Sequence, residues 1–162
     1  MEPVILQSIH ASEVASLWLS GVKENALADE SYVPRFSQEQ YAARIAALLE
    51  SGKILGWGIF VPSSLRMAAY LTAELKESAP EFVQRKFLYL HDLDVHHTER
   101  RKGLATILVE TAKRYVQGSG LSSIEVSWAS ADAQASAFWH ARGFGQYLAR
   151  ARLSAEAFVR DA

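Results

Sequence analysis

The chain has 162 residues and a mass of 18.0 kDa, 49% apolar and 22% charged. That is one domain's length with ordinary globular composition, which argues against disorder. Its 17 Lys+Arg and 18 Asp+Glu leave a net charge of -1, which argues against a dedicated nucleic-acid binder. Cysteine is absent, so disulfides, a thiolate nucleophile and Cys-ligated zinc or Fe–S are excluded.

Met1-Glu2-Pro3 lacks the basic region of a signal peptide. No apolar run reaches the ~18 residues needed to span a membrane. The expectation is a soluble, cytoplasmic protein with no membrane partner. The charge is unevenly spread: residues 1–81 hold 6 basic and 10 acidic side chains, residues 82–162 hold 11 and 8.

Val4 to His10 is β-rich and reads as a first strand. Ser12 reads as the cap of a helix burying Val14, Leu17, Trp18 and Val22. Residues 27–36 form a polar connection. Ser37 and Gln40 fit the S-x-x-Q capping box and open a second helix that buries Tyr41, Ile45, Leu48 and Leu49. Gly52 fits its C-terminal stop. Ile54–Val61 and Arg66–Leu75 read as a hairpin across Pro62-Ser63-Ser64.

After a charged loop at 76–86, Phe87 to Val95 is the fourth strand. Strict alternation puts Phe87, Tyr89, His91, Leu93 and Val95 on one face, and Leu88, Leu90, Asp92 and Asp94 on the other; a bulge in this strand would swap that parity for the two carboxylates. Leu104, Ile107, Leu108, Thr111, Ala112, Tyr115 and Val116 repeat with helical spacing over 104–117. A fifth strand follows at Ile124–Trp128. Asp132 caps a short helix over Ala133–Arg142, and Phe144–Leu153 alternates like a terminal strand. Both hairpin and crossover connections are needed, so the fold class is mixed α/β in one domain, 1–162.

The chemistry gathers in Leu93-Asp94-Val95-His96-His97-Thr98-Glu99-Arg100-Arg101-Lys102-Gly103-Leu104-Ala105-Thr106. This is a strand, a loop and a helix start. A helix N-terminus exposes unpaired N–H groups and the positive end of the dipole, which favours phosphate. Gly103 lets backbone approach a ligand, and three cations beside it would add charge-assisted bonds. An ordinary basic surface turn would look the same. No G-x-x-x-x-G-K-[ST] run occurs. Gly56-Trp57-Gly58 lacks the third glycine of a dinucleotide fingerprint and instead thins a strand where something packs closely.

Arg100-x-x-Gly103-x-Ala105 at this junction resembles the acyl-CoA motif Arg/Gln-x-x-Gly-x-Gly/Ala of the GNAT superfamily of N-acetyltransferases. Asp132-x-x-Ala135-x-x-Phe138-Trp139-x-x-x-Gly143-Phe144 resembles that family's Asn-x-x-Ala-x-x-Leu/Phe-Tyr-x-x-x-Gly-Phe element. The order of elements agrees over nearly the whole chain. The resemblance implies a mostly antiparallel central sheet, splayed between the fourth and fifth strands, with helices on both faces. It implies acetyl-CoA in the splay, its pantetheine arm paired with backbone of Leu93, Asp94 and Val95. Its pyrophosphate would lie on N–H groups from Arg100, Arg101, Lys102, Gly103, Leu104, Ala105 and Thr106. Asp132 and Trp139 would flank its other side.

Two positions depart from the pattern. The usual Asn is Asp132, which can cap a helix but cannot donate when ionised. The Tyr that often protonates the leaving thiolate is Trp139, whose indole is not a usable acid. Either the acid lies elsewhere, with Ser130 and Tyr147 as stand-ins, or the thiolate needs none, its reference pKa being ~8.5.

The implied reaction is direct transfer of an acetyl (acyl) group from acetyl-CoA to a primary amine, without a metal. At pH 7 a lysine-like amine of pKa ~10.4 is neutral in only about 1 molecule in 2,500, a cost of roughly 4.6 kcal/mol, so a base helps. His91 is the candidate base, at a place where several family members carry a His or Glu. Free imidazole titrates near 6.5, which suits the task. The other reading of His91 is a core histidine satisfied by a backbone carbonyl. His96 and His97 are adjacent on a strand end and point apart, and no HExxH or spaced carboxylate set accompanies them, so no metal is expected.

The acceptor, a small molecule or peptide bearing an amine, would sit by the 27–36 connection, the 76–86 loop and the final strands. Asp29, Glu30, Glu74, Glu77 and Glu81 make that neighbourhood acidic and favour a cationic amine. Edge strands offer a route to a homodimer. The rival from another class is a non-catalytic CoA-binding or sensor module, in which Trp139 marks lost acid chemistry.

Overall fold

The computed structural model describes residues 1–27, 29–64 and 66–153. Five strands form one sheet in the order β1-β2-β3-β4-β5: Val4–Ile5, Leu55–Phe60, Met67–Glu77, Lys86–Val95 and Ser123–Val126. The first three neighbouring pairs are antiparallel, and β4 and β5 are parallel. The parallel step needs a crossover, and α3 (Leu104–Ser119) supplies it. Among the described residues no helix is long and apolar enough to cross a membrane.

One face of the sheet carries α1 (Ala11–Ala26) and α2 (Gln38–Glu50). Val14 and Leu17 from α1, Tyr41 and Ile45 from α2, and Leu6, Met67 and Tyr70 from the sheet side are all buried in one cluster. Each of the aliphatic side chains among them contributes roughly 1.5–3 kcal/mol relative to exposure. Trp18 stacks on Tyr41 with ring centroids 3.7 Å apart and tilted by only 7°, tying α1 to α2. The α2 start is as its sequence implies. Ser37 Oγ accepts from Gln40 N–H at 3.2 Å, and Gln40 Oε1 accepts from Ser37 N–H at 2.9 Å.

The other face carries α3. Leu71, Ala73, Leu88 and Leu90 are buried, as are Leu104, Leu108, Val109 and Ala112 of the helix. Trp57 meets Tyr115 of α3 edge-on at 5.6 Å. Helices thus cover both faces, and α3 closes the region where β4 and β5 meet. The two glycines of β2 sit where backbone and Leu6 crowd in: a β-carbon on Gly56 would lie 2.6 Å from the Leu71 carbonyl oxygen and 3.0 Å from Leu6 Cδ1, and one on Gly58 2.9 Å from Leu6 Cδ2. They leave room for the Leu71 carbonyl and for Leu6, the close packing expected of that strand.

Three expectations change. The first strand ends at Ile5, because Gln7 N–H donates to His10 Nδ1 at 3.0 Å and a 3-10 turn forms over Ser8–His10. Helix α1 therefore begins at Ala11 and Ser12 lies inside it. Phe144–Leu153 forms no strand. Alternation supplies a pattern but no ladder, and a strand needs a partner for its N–H and C=O groups; Tyr147, Leu148 and Leu153 are exposed.

A second compact unit begins at Trp128. It holds α4 (Ala133–His140), capped by Asp132 Oδ1 accepting from Ala135 N–H at 2.8 Å. Its buried Trp139 packs edge-on against Phe138 and Phe144, each 5.0 Å away.

Candidate active site

The site begins with a bulge. Thr72 pairs with Asp92, but the next residue of β3, Ala73, pairs with Leu90. His91 is the extra residue, and everything after it changes face. Without the bulge, Asp92 and Asp94 would share the α3 side with Leu88 and Leu90, where burying carboxylates among leucines would cost several kcal/mol. With it, Leu93 and Val95 take that side, opposite Leu71 and Ala69, while Asp92 and Asp94 turn to the α1/α2 side with Tyr70 and Thr72. Strict alternation is thereby corrected: His91 does not share the face of Leu93 and Val95. Its ring lies by Tyr89, edge-on at 5.1 Å, and by Glu74.

Hydroxyls receive the two carboxylates. Tyr41 Oη and Thr72 Oγ1 donate to Asp92 Oδ2 at 3.3 and 3.2 Å. Tyr70 Oη, on a fully buried ring, donates to Asp94 Oδ2 at 3.1 Å. Burial raises the Asp92 carboxyl above its ordinary range, against the bonds from Thr72 and Tyr41. Burial and then the charge of Asp92 push Asp94 up to about 7. Burial and these carboxylates in turn raise the Tyr41 and Tyr70 phenols, which stay protonated donors at neutral pH.

A cavity of about 410 Å³ opens between α2 and the sheet, within the ~300–1,000 Å³ typical of small-molecule sites. Tyr41, Thr72, Glu74, His91 and Asp92 all reach it. His91 Nε2 bonds Glu74 Oε2 at 2.9 Å, and this bond is the main cause that holds the Glu74 carboxyl below its usual range. Lys76 Nζ is 3.6 Å from the same oxygen and lies over the Tyr89 ring. His91 therefore bonds a carboxylate on a cavity wall, not a main-chain carbonyl in the core. Its tautomer with N–H toward Glu74 leaves Nδ1 as an acceptor.

Next to this wall the sheet opens. Pairing of β4 with β5 stops at Leu90 and Val126, while β4 runs on to Val95. Tyr89 Oη donates to Ser127 Oγ at 3.0 Å where the pairing ends. From Asp92 to Val95 the β5 edge of β4 has no strand partner among the described residues. The Val95 carbonyl accepts from Arg100 Nε at 3.2 Å.

Beyond β4, Arg101 and Gly103 both adopt left-handed backbone, φ 64° and 80°. Such geometry in a non-glycine residue costs about 1–3 kcal/mol and clusters at ligand clamps. No side chain caps the first turn of α3, and a β-carbon at Gly103 would meet nothing within 4 Å. Leu104 is buried, Ala105 and Thr106 are half-buried, and Arg101 and Gly103 are exposed. Backbone N–H groups and open space thus coincide at this turn, a fit to an anion. The three cations are not equally available. Arg100 pairs with Glu24 of α1 at 2.7 Å, and Lys102 pairs with buried Glu99 at 2.8 Å, which also binds Arg66 at 3.1 Å.

His96 and His97 do not point apart: β4 ends at Val95, strand alternation ends with it, and the two rings stack 4.3 Å apart. Sequence reasoning also misses the hydroxyls. The pattern places Tyr41 only in a buried stripe, and Tyr70 and Thr72 only in a strand. Two hydroxyl residues at i and i+2 among Ala and Leu of a buried strand are the available signal, since a buried hydroxyl requires a partner.

The match to a family model covers residues 13–144, and that model describes the acetyltransferase (GNAT) family. The fold is similar to that of a Bacillus halodurans protein solved as a tetramutant (TM-score 0.85, 20% identity, 95% of this chain and 99% of that one). It is also similar to an aminoglycoside 6'-N-acetyltransferase from Acinetobacter haemolyticus (TM-score 0.70, 15% identity, 95% and 97%). A third similar fold is a ribosomal-protein-alanine N-acetyltransferase from Brucella melitensis biovar Abortus (TM-score 0.65, 16% identity, 93% and 99%). No curated protein matches the sequence. With the splayed sheet and the uncapped helix start lying inside the matched span, the chain belongs to the GNAT acetyltransferase family.

Proposed function

We propose that the protein is an N-acetyltransferase that moves an acetyl group from acetyl-CoA to a primary amine. The observation that carries this is the adjacency of three features: the unpaired stretch of β4, the uncapped α3 start, and the His91–Glu74 pair on a cavity wall. The open edge at Leu93 to Val95 suits an extended, amide-containing arm, which it can bind as an added strand. N–H groups from Arg101 to Thr106 suit the pyrophosphate, with Arg101 the cation of the loop that is outside the Glu24 and Glu99 pairs.

In the transfer, the neutral amine nitrogen attacks the thioester carbonyl. A C–N bond forms, the C–S bond breaks, and sulfur leaves with the bonding electrons. The amine's extra proton passes to His91 Nδ1, directly or through water, with Glu74 fixing the ring and stabilising the imidazolium. A thiolate of reference pKa ~8.5 can leave without a dedicated acid, which fits Trp139 being packed in an aromatic cluster. A complex with acetyl-CoA tests the assignment. Pantetheine alongside Leu93–Val95 and phosphate at the α3 start support it; a cofactor bound elsewhere contradicts it.

A further inference from the structure

Folds similar to this one belong to proteins acting on acceptors as different as an aminoglycoside and a ribosomal-protein alanine. The acceptor class therefore has to come from this chain's own cavity. The five acidic residues that point to a simple cationic amine contribute only one member to its wall, Glu74. The wall is completed by Arg44 of α2 and Lys53 of the turn after it. Both are exposed. Neither takes part in an ion pair among the described residues.

The cavity thus has three kinds of wall. Glu74, His91 and Asp92, with the hydroxyls of Tyr41 and Thr72, offer acceptors and negative charge. Ile45, Leu48 and Ile54 are apolar. Arg44 and Lys53 offer cationic donors with no anionic partner among the described residues. A polycationic acceptor would meet repulsion from the last pair; an amine that also carries an anion would satisfy both charged walls.

Resting on the acetyltransferase reading above, we propose that the acceptor is amphoteric: a small amine bearing a carboxylate, of the amino-acid class. Its amine lies toward His91, Glu74 and Asp92, and its carboxylate toward Arg44 and Lys53. The chemistry is unchanged. The amine becomes an amide, CoA leaves as the thiolate, and the released proton goes to the base.

Matched acceptors test this with the full chain and acetyl-CoA: leucine against leucinamide, and 6-aminohexanoate against 6-aminohexanamide. Rates are compared per neutral amine. The carboxylate form of at least one pair should be preferred about tenfold or more in kcat/KM, the scale of one charge-assisted hydrogen bond. In the Arg44→Gln/Lys53→Gln variant that preference should fall below about threefold. Acetylation of these amines with no preference for the carboxylate form overturns the amphoteric acceptor and leaves the acetyltransferase assignment standing. A preference that survives in the double variant overturns it equally. Binding of CoA with no acetylation of any amine overturns both.

Discussion

Asp94 Oδ1 fills the space that a side chain at Gly21 would take: a β-carbon there would lie 2.5 Å from it. Gly21 is buried in α1, where glycine costs the helix about 1 kcal/mol against alanine. The carboxylate explains its presence. Gly21→Ala should gain that propensity yet lose more to the clash, for a net destabilisation of about 1–2 kcal/mol in urea unfolding. Combined with Asp94→Ala, the same substitution should become neutral or stabilising, and additive losses would refute the contact.

Asp94 should also shape the pH dependence of stability. Its carboxyl lies at about 7 in the folded protein and near 3.9 when unfolded. Between these values the folded state holds the extra proton, so this contribution is complete below the unfolded value and is lost as pH rises through about 7. Asp94→Asn should lose less stability than the parent between pH 5 and 7.5, measured by urea midpoints. Parallel profiles would show that Asp94 titrates normally.

Gly103→Asp places a negative charge in open space at the α3 start, on backbone with φ 80°. CoA affinity measured by calorimetry should fall more than tenfold, from repulsion as well as strain. Gly103→Ala, which adds strain without charge, should fall less. Near-parental affinity in Gly103→Asp would remove the pyrophosphate from this turn.

The His91–Glu74 bond predicts a graded pair of variants. His91→Ala should lower kcat by about 10²–10⁴-fold, the usual worth of general base catalysis, and flatten the acidic limb of the pH–rate profile. Glu74→Gln keeps a hydrogen bond but removes the charge that stabilises the imidazolium, so it should lower kcat less than His91→Ala. An unaltered profile in His91→Ala would assign the ring a purely structural role.

Much of the frame is legible in the sequence because local signals fix it. Ser37 and Gln40 announce a capping box through side chains three residues apart. The α3 stripe follows from helical spacing alone. The active face is not legible, because it depends on one unpaired residue. A bulge in this strand is a possibility the sequence leaves open, but nothing in Leu90-His91-Asp92 fixes that it occurs at His91, and that slip decides which side two carboxylates occupy. Charge misleads for a related reason. The basic half and the acidic half interlock through Arg100 and Glu24, 76 positions apart, so a tally by halves overstates the cations free at the loop. The alternation of Phe144–Leu153 is equally silent about whether a partner strand exists.

The most direct measurement follows thiol release from acetyl-CoA in the presence of an amine panel, with products identified by mass spectrometry. At least one primary amine should accelerate release, with one N-acetyl amide formed per thiol. Tight CoA binding with thiol release that no amine accelerates would contradict the acetyltransferase assignment, and would mark the chain as a binding module on this fold.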